Sequence, residues 1–137
     1  MATKEALKAL KLICKMYDKK GIRYTLNEER SFVSARYDAD NYKDVTFYIF
    51  VDDDGNSVAV RAFSLSKFDG EQIPVAYAFC NEMNRKYRWM RFYLDNENEL
   101  TAAMDAVIEP KTAGEECYEL LGRSVSIVDD VIGALKA

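Results

Sequence analysis

Apolar residues recur along this chain with two different periods, and the places where the period changes mark its elements. Leu7, Leu10, Cys14 and Tyr17 form one stripe at helical spacing, with Ala6 and Ile13 beside it and lysines on the other side. Residues 3–20 therefore read as an amphipathic helix, and Gly21 suits the left-handed position that ends one. Ile22, Tyr24 and Leu26 then alternate at strand spacing, as do Val33, Ala35 and Tyr37 beyond a polar turn at 27–30. After a polar loop at 38–43, the run at 45–51 is the most β-prone of the chain. Asp53-Asp54-Gly55-Asn56 reads as a hairpin turn into a strand at 57–65, with Val58, Val60 and Ala62 on one face and Ala59, Arg61 and Phe63 on the other.

The second half repeats this alternation of periods. A connection leads into a helix over 72–86, with Pro74 in its first turn, where a missing N–H does little harm. Phe79, Met83 and Tyr87 keep helical spacing, but from Arg88 the period drops to that of a strand. Met90, Phe92 and Leu94 fall on one side of this strand at 88–94, and Trp89, Arg91 and Tyr93 on the other. A turn at 95–98 returns the chain into a strand at 99–107, where Leu100, Ala102, Met104 and Ala106 alternate. Pro110 breaks it, and Thr112 with Glu115 has the spacing of a capping box. The last helix, 113–136, is predicted to bury Cys117, Leu120, Leu121, Val125, Val128, Val131, Ile132 and Leu135. The order is α-β-β-β-α-β-β-α, with an extra short strand near 22–26. Short strand connections favour antiparallel pairing, so the class is α+β: one antiparallel sheet with three helices.

Size and charge narrow the partners. The 137 residues fit a single domain spanning 1–137. A net charge of −4 argues against nucleic acid or an anionic membrane as partner. The chain has no apolar run long enough for a membrane helix and no apolar segment of signal-peptide type near residue 1, which gives a cytoplasmic expectation. Cys14, Cys80 and Cys117 are widely spaced on apolar helix faces, so they read as reduced, slowly reacting core thiols.

Several chemistries lose their residues. The chain contains 0 His, which removes Ser-His-Asp and Cys-His nucleophile pairs and every His-ligated metal site. An EF-hand with Gly55 as its sixth residue needs acids where Phe50 and Arg61 stand. Asp129 and Asp130 are adjacent on a helix and point about 100° apart, so they form no dyad. The expectation is a protein without cofactor or bound metal, and not an enzyme. A carboxylate- or metal-dependent enzyme stays the alternative and would need acids converging on one pocket. The stretch 85–93 interleaves bases with aromatics, as RNA-binding strands can. That reading requires Arg85, Lys86, Arg88 and Arg91 to share a face, and it lacks the glycines of an RNA-binding strand signature.

Two features ask for a further reason. Asn81 and Asn84 lie one turn apart in a helix, where Asn is a poor interior residue; bonding to backbone at the helix–strand junction is the favoured explanation. The strand at 45–51 is apolar on both sides: Phe47, Ile49 and Val51 on one, Tyr48 and Phe50 on the other. Phe63, Trp89 and Tyr93 are expected to join Tyr48 and Phe50 on a second apolar sheet face. A helix of the same chain, a second subunit or a client segment should cover it, and the layer rule favours the helix.

The segment Cys80-Asn81-Glu82-Met83-Asn84-Arg85-Lys86-Tyr87-Arg88-Trp89, followed by Phe92-Tyr93-Leu94-Asp95, resembles the hallmark of YbjN-like proteins, bacterial proteins described as sensory-transduction regulators. Val60-Arg61-Ala62-Phe63-Ser64-Leu65 and the tail from Gly114-Glu115-Glu116-Cys117 to Leu135 fit the same pattern. The resemblance covers nearly the whole chain, most loosely before Asp44. It implies a fold like the chaperones of type III secretion, which are small α+β proteins, commonly dimeric, that hold segments of other proteins and catalyse nothing. It supplies no catalytic residues. The expectation is a non-catalytic protein-binding module, chaperone-like or regulatory, forming a homodimer and taking another protein or protein segment as partner. Tyr48, Phe50, Phe63, Trp89, Arg91 and Tyr93 are the candidate interaction residues, with Asn81 and Asn84 structural.

Overall fold

A computed structural model describes residues 1–137. Helix α1, Lys4–Lys19, starts where Thr3 caps it: the Thr3 hydroxyl accepts from the Ala6 N–H at 3.1 Å. Strands β1 (Thr25–Asn27), β2 (Phe32–Tyr37), β3 (Val45–Val51) and β4 (Ser57–Ala62) follow, then helix α2 (Gln72–Lys86). Strands β5 (Arg91–Leu94) and β6 (Leu100–Val107), and helix α3 (Ala113–Lys136), complete the chain. The strands form one six-stranded sheet in the order β1-β2-β3-β4-β6-β5, and every pair is antiparallel. The fold is α+β, with the predicted element order.

The alternation read from the sequence sets which side is core. In register, Val33 pairs with Ile49 and Ile49 with Val60, while Val60 pairs with Met104, and Phe92 with Ala102. These residues are buried together with Ala6, Leu10, Ile13 and Tyr17 of α1 and with Cys117, Leu121, Val128 and Val131 of α3. Burying a large side chain of this kind contributes about 1.5–3 kcal/mol, so this layer dominates stability. Tyr17 is fully buried and donates its hydroxyl to the Cys117 carbonyl at 3.0 Å, which ties α1 to α3 without an orphaned polar atom. Gly114 lets the two helices touch: a Cβ there would lie 2.7 Å from the Leu12 carbonyl oxygen. All three cysteines are free and buried, and burial pushes each thiol up, Cys117 to about 12 with the Glu116 charge adding to the effect.

The structure moves several predicted boundaries. The first strand covers 25–27 rather than 22–26, because Ile22 is still bonded through its N–H to the Tyr17 carbonyl and finishes the helix end. Strand β4 stops at Ala62, not Leu65, where Ser64 takes a positive φ of 56°. The strand expected from 88 begins at Arg91, because Trp89 adopts φ 76°, a left-handed conformation that no strand tolerates. The Thr112–Glu115 capping box does not form. A 3-10 turn at Pro110–Thr112 precedes α3, and Glu116 instead accepts from the Glu109 N–H at 2.8 Å and the Thr112 hydroxyl at 3.1 Å.

No helix lies over the second sheet face, contrary to the layer expectation. Helices α1 and α3 both pack on the face carrying Phe47 and Ile49, and α2 packs beside the edge strand β5.

Candidate protein-interaction surface

The uncovered face is built by the strand residues that alternate with the core positions. Phe32 of β2 pairs with Phe50 of β3, and Tyr48 pairs with Ser34 on one side and Arg61 on the other. The rings meet: Phe32 lies 5.2 Å from Tyr48 and 5.3 Å from Phe50 between centroids, both edge-on, and Tyr48 and Phe50 stack at 5.9 Å. Phe63, one residue past β4, completes the cluster 5.6 Å from Tyr48 and remains 45% exposed. Rings at these separations stabilise one another by about 0.5–1.5 kcal/mol per pair, so the cluster is preorganised rather than loose.

The other half of the face is polar. Across the register Arg61 pairs with Ala103, and Ala103 with Arg91. Both guanidiniums reach Asp105, Arg61 at 2.9 Å and Arg91 at 3.2 Å, and Arg61 also donates to the Met104 carbonyl at 3.1 Å. Partial burial pushes the Asp105 carboxyl up, but the hydrogen bonds and charges of Arg61 and Arg91 outweigh it and hold the group below its ordinary value. Two cations share one acid, which leaves this half of the face positive. Tyr93 stands opposite Thr101 and is 40% exposed. Thr101 is 1% exposed, and its hydroxyl has no partner.

Five of the six candidate interaction residues thus share one face: Tyr48, Phe50 and Phe63 in the ring cluster, and Arg91 and Tyr93 beyond it. Trp89 does not join them. Its left-handed backbone turns it out of the strand, and its ring lies 4.7 Å from the guanidinium carbon of Arg123 on α3. The two asparagines also separate. Asn84 accepts from the Phe92 N–H at 2.6 Å and donates to the Phe92 carbonyl at 3.1 Å, closing the free edge of β5 as a neighbouring strand would. Asn81 is exposed and its side chain makes no hydrogen bond, so bonding to backbone at the junction holds for Asn84 alone.

The bases of 85–93 do not share a face either. Arg85 pairs with Glu82, Lys86 and Arg88 line a groove beside α3, and Arg91 belongs to the open sheet face. Reading the sequence missed Asp105 and its link to Arg61. The alternation at 99–107 places Asp105 opposite the core side, but β4 and β6 become neighbours only through a crossover that spacing does not reveal. No group of three or more acidic or cysteine side chains comes together as a metal site, and no helix is long and apolar enough to cross a membrane.

Helices on one face of an antiparallel sheet, with aromatic rings on the other, define a small two-layer α+β protein. The family model for YbjN, described as "Putative bacterial sensory transduction regulator", matches residues 9–137, and the chain belongs to that family. Its structure is similar to the crystal structure of YbjN from E. coli, described as "a putative transcription regulator". The TM-score is 0.67 at 15% identity, with 90% of this chain and 87% of that chain covered. At that identity the likeness carries the fold. No curated protein matches the chain.

Proposed function

We propose that this chain is a non-catalytic regulatory protein that acts by holding a segment of another protein on the open face of its sheet. The observation that carries the reading is the ring cluster of Phe32, Tyr48, Phe50 and Phe63 on a face without a helix. A contiguous apolar patch rimmed by charge is the form protein-binding surfaces take. The charges favour a particular occupant. Arg61 and Arg91 share Asp105, and Arg30 lies 6.0 Å over the Phe32 ring, so the face suits an apolar segment flanked by acidic residues. The family's description as a regulator agrees with a binding role. The homodimer expected from the sequence is a competing occupant, a second copy placing the same face against this one.

The test pairs binding with stability. Tyr48→Ala, Phe63→Ala and Arg91→Ala should each weaken capture of the partner segment. The melting curves of Phe63→Ala and Arg91→Ala should stay close to that of the parent, while Tyr48→Ala, which loses contacts to Phe32, Phe50 and Phe63, should melt lower. Undiminished capture by all three would remove this face from the account.

A further inference from the structure

We infer that the groove between the end of α1, the α2–β5 junction and the middle of α3 is a binding site for a small anionic ligand carrying a planar ring, of the nucleoside-phosphate class. The groove lies open to solvent and has a volume of about 880 Å³, within the range of small-molecule sites. Its composition is at odds with the rest of the molecule. The chain carries 19 basic and 23 acidic residues, yet Lys20, Lys86, Arg88 and Arg123 line this groove against one acid, Glu119. Arg123 takes Glu119 at 2.9 Å, and the other three cations have no carboxylate partner.

The cations lie over aromatic rings. Lys20 is 4.8 Å from the Tyr118 centroid and Lys86 is 5.5 Å from that of Tyr87, while Arg88 and Arg123 approach the Trp89 ring at 5.9 and 4.7 Å. A guanidinium resting on an indole leaves its in-plane N–H donors available to a phosphate. Arg88 has its whole fork open, while Arg123 commits Nε and Nη2 to Glu119 and keeps its remaining donors. Trp89 is 53% exposed and Tyr118 38%, which leaves ring surface for a planar group to stack on. Gly122, in the middle of α3, lines the groove and has open space where a Cβ would be.

The plainer account is that these cations answer helix C-termini. It covers Lys86, in the last turn of α2, and Lys20, the C-cap of α1. It does not cover Arg88, past the end of α2, or Arg123, in the middle of α3. It also leaves Trp89 unexplained. A bulky aromatic at φ 76° is a backbone outlier, and folding gains little from holding a half-exposed indole there. The conformation does set the indole beside both guanidiniums, where a ligand could use it.

Trp89 is the one tryptophan of the chain, so its fluorescence reports on the groove directly. Titration of the intact protein with ATP at low salt should give a saturable change in that fluorescence and a matching calorimetric isotherm, both weakened by added salt. Inorganic phosphate or adenosine alone should bind at least about tenfold more weakly, since each supplies half of the recognition. Arg88→Gln removes a side chain without a bonding partner and should fold normally; the calorimetric affinity should drop at least about tenfold. Lys11→Gln, outside the groove, should bind as the parent does. The inference is overturned by no saturable response to ATP up to millimolar concentration. It is equally overturned by undiminished affinity in Arg88→Gln, or by a response to an oligoglutamate peptide or single-stranded oligonucleotide without one to ATP.

Discussion

Replacing Asn84 with alanine isolates what holds the edge of the sheet. The Asn84 amide makes two bonds to Phe92 backbone, one to the N–H at 2.6 Å and one to the carbonyl at 3.1 Å. Each such bond contributes about 0.5–1.5 kcal/mol net. Asn84 is itself exposed, so water re-satisfies the freed groups in part and the loss falls towards the lower end, about 1–1.5 kcal/mol for the pair. Alanine returns about half a kcal/mol through its better helix propensity. The net cost is then about 0.5–1 kcal/mol, a fall in melting temperature of roughly 2–5 °C for a chain of this size. Asn81→Ala removes no bond and gains the same propensity, so its melting temperature should stay level or rise slightly. Hydrogen exchange separates the two cleanly. The Phe92 amide should be protected in the parent and in Asn81→Ala and should exchange much faster in Asn84→Ala. Equal losses in the two variants, or unchanged Phe92 protection in Asn84→Ala, would refute the reasoning.

Other expectations are as specific. Gly55→Ala should destabilise far more than Gly21→Ala: both glycines have positive φ, 73° and 72°, but only at Gly55 would a Cβ meet backbone, 2.7 Å from the Glu5 carbonyl oxygen. Thermal melts of the two variants check it, with about 1–2 kcal/mol expected for the conformation alone at Gly21. The Cys117 thiol, pushed up to about 12 from 9.0, ionises in the unfolded chain before it does in the folded one. Its contribution to stability is therefore complete below pH 9.0 and lost as pH climbs towards 12, and denaturant melts above pH 9.0 should show stability falling. In Arg61→Ala the Asp105 carboxyl should titrate higher than in the parent, because burial persists while one of its two cations is gone; an NMR pH titration reads this.

The two periods of hydrophobicity were enough to place all three helices and the main strands, because in each the buried residues recur at the element's own spacing. The face assignment of Tyr48, Phe50 and Phe63 was legible for the same reason: a strand sends alternate residues to opposite sides whatever its neighbours are. Trp89 leaves the face that alternation assigns it because its backbone is left-handed, and nothing in a bulky side chain announces that conformation. The pairings Arg61–Asp105 and Trp89–Arg123 join residues far apart in sequence. They depend on strand order and helix packing, which periodicity does not encode. The similarity of Asn81 and Asn84 was misleading in the same way: their roles differ only through what α2 packs against.

The claim that the open sheet face holds another protein is tested most directly by site-specific photo-cross-linking in living bacteria. A photoreactive phenylalanine analogue is placed in turn at Tyr48, Phe50 and Phe63, and at Lys11 on the exposed side of α1 as the control. The account predicts that the three sheet positions cross-link to a polypeptide other than this chain, at an apolar segment flanked by acidic residues, while position 11 does not. Adducts only with a second copy of the chain would make the face a dimer interface and contradict the claim, as would equal labelling at position 11 or no adduct at any sheet position.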